Sequence, residues 1–144
     1  MEPGRSERAV RPFLDTNILV YASLSNDPRC GTAMRLLAAG GCISAQVLNE
    51  FTNVARSKLK WSWPDIEAML NLLLTKLGRV GALTVATHAK ALALARDNLL
   101  SFYDALIVAA ALEAGCDTLL TEDMQHGRVI QGLTIHNPFR QSPP

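Results

Sequence analysis

The run Pro12-Phe13-Leu14-Asp15-Thr16-Asn17-Ile18-Leu19-Val20-Tyr21-Ala22 constrains this chain more than any other segment. Phe13-Leu14 and Ile18 to Ala22 call for burial, yet three small polar residues, one of them charged, stand between them. A short buried strand that ends in Asp and passes directly into a helix delivers that carboxylate to the carboxyl edge of a sheet, where open α/β folds place their sites. What else reaches that edge then decides what the acid does.

The rest of the chain supplies such a sheet. Strand-like runs fall at Phe13 to Asp15, Cys42 to Ser44, Gly81 to Val85, Thr118 to Thr121 and Leu133 to His136. Helical patterns lie between them: Pro28 to Ala39 with Asp27 as its cap and Gly40-Gly41 as its stop, Ala45 to Lys60 after Ser44, Pro64 to Leu77, Thr87 to Asn98, and Ser101 to Ala114 closed by Gly115. Strands alternating with helices predict a largely parallel sheet covered on both faces. At 144 residues and 49% hydrophobic content the chain suits one domain with a real core. We expect residues 12–139 to form it, with residues 1–11 and 140–144 as flexible ends.

A formal net charge of +1 excludes the global basic field that by itself announces nucleic-acid binding. Cys30, Cys42 and Cys116 form no C-x-x-C pair, so a disulfide framework or zinc ribbon is not expected and a reducing cytoplasm is the natural compartment. The apolar stretches are broken by Lys90, Asp104 or Glu113 before about 18 residues, so no membrane span is expected. Residues 1–11 lack the apolar core of a secretory signal.

Four acids hold similar places in this organisation: Asp15 ends the first strand, Glu50 lies in the helix after the second, Asp104 opens the last long helix, and Asp123 follows the fourth strand. Each has an ordinary explanation. Asp15 suits a helix N-cap, although Thr16 and Asn17 could do that work. Glu50 belongs to the polar stripe Gln46, Asn49, Glu50, Asn53, which an exposed face explains equally well. Ser101-x-x-Asp104 resembles a capping box, but Phe102, Tyr103, Ala105, Leu106 and Ile107 around it are too apolar for a solvent face. Asp123 in Thr121-Glu122-Asp123 suits a polar turn.

Together they mean more. A parallel sheet brings all four to one edge without matching cations nearby in sequence, and clustered like charges raise one another's pKa. Such a cluster calls for a metal, and oxygen donors with no His or Cys at ligand spacing select Mg²⁺ or Mn²⁺.

These segments resemble the PIN-domain ribonucleases, and within them the VapC-type toxins of bacterial toxin-antitoxin pairs. The likeness is carried in order by Phe13 to Ala22, by Ser44-Ala45-Gln46-Val47-Leu48-Asn49-Glu50-Phe51, by Ser101 to Ala111, and by Cys116-Asp117-Thr118-Leu119-Leu120-Thr121-Glu122-Asp123-Met124. It implies a three-layer α/β/α sandwich with a five-stranded parallel sheet and an acidic pocket for endonucleolytic RNA cleavage. It further implies a homodimer and a cognate antitoxin whose tail covers the site. Asp15, Glu50, Asp104 and Asp123 match the family's acidic positions. Asp15, Asp104 and Asp123 are the expected ligands of one or two metal ions, with Glu122 a neighbouring candidate for the fourth acid, and Thr16, Asn17 and Thr121 are expected to support them.

An acidic pocket must still attract a polyanion. Arg56, Lys58 and Lys60 beside Trp61 and Trp63 could pair phosphates and stack bases. Cations favouring a helix C-terminus and tryptophans filling the core explain them too. His126 and Arg128 are further candidates. The helix Pro64 to Leu77, with Met69, Leu70, Leu72, Leu73, Leu74 and Leu77, carries more apolar surface than one buried stripe requires, which points to a partner or a second copy. Two rivals remain in view. An aspartate-nucleophile phosphatase wants a second Asp where Asn17 stands, and a non-catalytic module of the same fold would bind RNA or protein without turnover.

Overall fold

The computed structural model describes residues 11–140, so the expected end segments lie outside the described residues apart from Arg11 and Arg140. Six short strands, β1 (Pro12–Leu14), β2 (Cys42–Ser44), β3 (Arg79–Gly81), β4 (Thr118–Leu120), β5 (Val129–Ile130) and β6 (Leu133–His136), form one sheet in the order β3-β2-β1-β4-β6-β5. Every pair is parallel except β5 with β6. The helices are α1 (Thr16–Ala22), α2 (Cys30–Ala39), α3 (Ala45–Ser57), α4 (Trp63–Lys76), α5 (Val85–Asn98) and α6 (Phe102–Glu113). Helices α1 to α4 pack among themselves, while α5 packs along α6, giving the three-layer α/β/α sandwich.

The sheet exceeds the expected five strands by one. Gln131 and Gly132 both adopt positive φ, 50° and 85°, as a two-residue I′ hairpin turn requires, and fold the two-residue β5 back on β6. The third strand also sits earlier than expected, at Arg79–Gly81 rather than Gly81 to Val85. Thr84 and Thr87 cap each other reciprocally, so Leu83-Thr84-Val85 opens α5 instead of extending the sheet.

Other boundaries move for local reasons. Asp27 directs its carboxylate to the Arg29 N–H at 2.8 Å and to the Arg29 guanidinium, so it orders the turn before α2 rather than capping a helix at Pro28. Helix α3 ends at Ser57 because Lys60 takes a left-handed φ of 61°, which turns Trp61 back onto Phe51. Gly115, at φ 75°, closes α6 as expected, with the Cys116 N–H reaching the Ala111 carbonyl at 3.0 Å.

Strand β1 lies in the middle, with Phe13 and Leu14 fully buried. From it the chain moves outward through β2 and β3, then returns to β4 on the other side of β1 and continues outward to β6. The carboxyl ends of β1 and β4 therefore form the topological switch point, the place where a crevice opens in such sheets. Helix α6 lies against this centre with Ala105 to Ala111 all buried, its small side chains allowing close approach. Cys30, Cys42 and Cys116 are free and buried. Among the described residues, no helix is long and apolar enough to cross a membrane.

Candidate functional site

Asp15 follows β1 directly, and the register pairs Leu14 with Leu120, so Asp15 faces Thr121 across the switch point. Its backbone N–H donates to the Leu120 carbonyl at 3.0 Å. Its side chain does two things. Oδ1 accepts the Thr16 N–H at 2.7 Å, which makes Asp15 the N-cap of α1, and Oδ2 accepts the Thr121 hydroxyl at 2.8 Å. The residue is only 4% exposed. Capping is therefore real and does not exhaust the carboxylate.

Glu50 is held rather than solvated. Its Oε1 accepts the Thr16 hydroxyl at 2.8 Å, and its Oε2 accepts the Gln46 amide at 3.0 Å from one turn earlier on α3. Gln46 is buried and is a residue the sequence placed only in a polar stripe; its i, i+4 spacing to Glu50 was the available signal. Asp104 sits in the first turn of α6, where Ser101 caps its N–H at 3.2 Å. Asp123 is exposed and accepts the Asn17 amide at 3.1 Å, while its own N–H donates to the Thr121 hydroxyl at 3.1 Å.

Glu122 belongs to a different network. It accepts the Tyr21 hydroxyl and lies 3.4 Å from the Arg29 guanidinium, which stacks on the Tyr21 ring and pairs with Asp27 at 2.9 Å. Of the two neighbours, Asp123 is the one that Asn17 ties to Thr121 and Asp15.

The electrostatics follow from this packing. Burial pushes the Asp15 carboxyl up to about 7, opposed by its bonds to Thr121 and Thr16 and reinforced by the charges of Glu50 and Asp123. Burial likewise raises Asp104, against a hydrogen bond from Ser101 and together with the fields of Asp123 and Glu50. Among the described residues, no Lys or Arg pairs with any of these four acids.

The residues fit a hard divalent cation in chemistry. All the donors are oxygens, and Asn17 Oδ1, beside Asp123 and Thr121, is buried with no hydrogen-bond partner. Among the described residues no three acidic, His or Cys side chains form a group set to hold a metal ion. Mg²⁺ does not need three, since it usually takes one or two carboxylates and keeps several waters.

The basic candidates lie elsewhere. Arg56 donates to the Trp61 carbonyl at 3.0 Å and stacks over the exposed Trp63 ring, six residues or about 9 Å along α3 from Glu50. Trp61 packs on Phe51, as the core explanation requires, whereas Trp63 is 58% exposed. Lys58 and Lys60 are exposed in the turn after α3. Arg128 donates to the Asn98 carbonyl at 2.6 Å, and His126 accepts the Asn137 N–H at 3.0 Å and sits beside His136, so both brace loops.

A comparison with curated protein sequences gives no match. A family model for the PIN domain matches residues 13–130, a span holding all four acids and the switch point. The chain belongs to the PIN domain family. Solved structures resemble this PIN domain over most of its length. The VapC20 toxin of Mycobacterium tuberculosis, described as cleaving the sarcin-ricin loop, is 26% identical with a TM-score of 0.61, over 75% of this chain and 86% of that one. VapBC2 from Rickettsia felis, bound to a DNA fragment from its promoter, is 24% identical at a TM-score of 0.63, over 89% and 98%. A toxin-antitoxin complex from Klebsiella pneumoniae is 20% identical at 0.67, over 90% and 99%. The last two share the fold.

Proposed function

We propose that this PIN domain, spanning residues 12–139, is a divalent-metal-dependent endoribonuclease and the cytoplasmic toxin of a toxin-antitoxin pair. One observation carries the reading: Asp15, Glu50, Asp104 and Asp123 share the electrostatics of one switch point, with Asp15 buried and no Lys or Arg among the described residues paired with any of them. The VapC20 toxin's described action on an RNA loop supports the substrate class.

Asp15 and Asp104 would hold Mg²⁺ or Mn²⁺, with Asp123 completing the set or recruiting a second ion. Such a cation supplies polarisation of a phosphate oxygen and a more acidic bound water. The chain's own residues do the rest. Thr121 fixes one oxygen of Asp15 and the backbone of Asp123 together, so the two strands deliver their acids in register. Asn17 holds Asp123, and Thr16 with Gln46 aims Glu50 toward α1 instead of solvent. Loss of such a support typically costs about 10- to 100-fold.

The partner proposal has its own surface. An apolar groove of about 160 Å³ runs between the end of α1, α2 and α4, lined by Ala22, Met34, Leu37, Ala38, Met69 and Leu72 among others. Met34 and Leu72 are about half exposed there, which suits the apolar tail of an antitoxin. The toxin-antitoxin complexes among the similar structures support an antitoxin as the class of partner. A homodimer forms part of the same proposal, and the molar mass of the isolated chain by light scattering tests it: a strict monomer at high concentration contradicts it.

The decisive assay is cleavage of an end-labelled single-stranded RNA with Mg²⁺ or Mn²⁺ and with chelator. Internal products are expected only with metal, and Asp15→Asn is expected to lose more than about 100-fold of the rate while keeping its fold. Binding without metal-dependent products would instead identify a non-catalytic module.

A further inference from the structure

Next to the acidic edge lies a cleft of about 440 Å³ between α3 and the first turn of α6, lined by Gln46, Asn49, Glu50, Asn53, Val54 and Tyr103. Its volume falls in the range of small-ligand pockets, roughly 300–1,000 Å³. Tyr103 is 63% exposed although it lies between Phe102 and Asp104 on a helix whose next seven residues are buried. Its ring meets Phe102 edge-on at 5.9 Å, and Phe102 meets His88 at 5.1 Å, so the exposed ring is braced from behind. Asn49 and Asn53 are exposed one turn apart on α3. Asn53 accepts the Ser57 hydroxyl through Oδ1 at 3.2 Å, which leaves its amide hydrogens for another partner.

The chemistry of this lining selects its occupant. Among the described residues it is lined by no Lys or Arg and by one carboxylate, a lining that repels a phosphate. A flat, neutral ring with polar edges suits an exposed aromatic face opposite two amides. Glu50 belongs to both the cleft and the acidic edge, so a ring seated here adjoins the place where the backbone phosphate would react.

We propose that this cleft is a nucleobase subsite, in which Tyr103 stacks on one unpaired base of a single-stranded RNA and the amides of Asn49 and Asn53 read its edge. The subsite deepens the ribonuclease reading and rests on it. Stacking requires an unpaired base, which sets single-stranded loops or ends as the substrate class. The exposed position of Tyr103 also means that its replacement leaves the core untouched.

The test titrates protein in chelator with a fluorescent single-stranded hexaribonucleotide and with versions carrying an abasic site at each position in turn. Cleavage with Mn²⁺ is followed in parallel. Tyr103→Ala is expected to weaken binding about 5- to 100-fold, and one abasic position is expected to reproduce that loss in the unaltered protein. Combining the two is expected to add nothing, and Tyr103→Phe is expected to restore the affinity. Asn49→Ala is expected to change the ranking among bases at that position.

Unchanged binding by Tyr103→Ala, or the same loss on every abasic oligonucleotide, overturns the subsite. So does a failure of the unaltered protein to bind the intact hexamer more tightly than any abasic form. Metal-dependent cleavage alongside any of these results overturns the subsite and leaves the ribonuclease reading standing. The expected binding pattern without metal-dependent products upholds the subsite and overturns the ribonuclease reading.

Discussion

Burial of Asp15 against Thr121 makes its ionisation costly in the metal-free protein. Its carboxyl titrates near 7 in the fold against 3.8 in an open chain. The folded state therefore binds more protons than the unfolded state between about pH 4 and pH 7, and stability falls as pH rises through that window. Asp15→Asn removes the penalty without changing the shape. The variant is expected to match the parent near pH 4 and to exceed it by about 1–3 kcal/mol at pH 8, measured by urea unfolding in chelator. A variant no more stable at pH 8 than its parent would show that the buried carboxylate carries no such penalty. Asp15 was legible in the sequence because an acid interrupting Phe13-Leu14 and Ile18 to Ala22 has few uses. Glu50 was legible only as an even choice between an exposed face and a site, because a polar stripe on a helix looks the same whether it meets water or the hydroxyl of Thr16.

At the level of elements, apolar runs and glycine stops located four of the five parallel strands and the long helices, since burial and helix termination act locally. The third strand fell two residues earlier than expected, at Arg79–Gly81. Boundaries set by side-chain capping were less visible. Thr84 and Thr87 cap each other without the Glu or Gln that advertises a capping box, so the start of α5 read as the end of a strand. Strand β5 is two residues long and depends on the Gln131-Gly132 turn, too little for alternation to register. The apolar excess of α4 was legible, and the structure resolves it: Ile66 and Leu73 are buried, while Leu72 stays 51% exposed on the groove. Leu72→Glu is expected to weaken capture of an antitoxin's apolar tail by about tenfold or more, measured by calorimetry, with little change in melting temperature. An unaltered affinity would remove that tail from this groove.

Across the whole molecule, strand order brings scattered acids to one edge. Asp15 and Asp104 stand far apart in sequence, yet β1 and β4 end side by side and α6 starts at the same edge. Alternation of strands and helices implied a shared edge, whereas the order β3-β2-β1-β4-β6-β5 depends on long-range pairing that no local pattern encodes. The edge carries an excess of negative charge in a chain whose formal net charge is +1. That imbalance is the centre of the account, and direct Mn²⁺ binding tests it. Electron paramagnetic resonance titration at pH 8 is expected to show one or two bound ions in the unaltered protein and a loss of affinity of at least about tenfold in both Asp15→Asn and Asp104→Asn. No bound Mn²⁺, or equal affinity in the two variants, would contradict the metal site and the chemistry assigned to it.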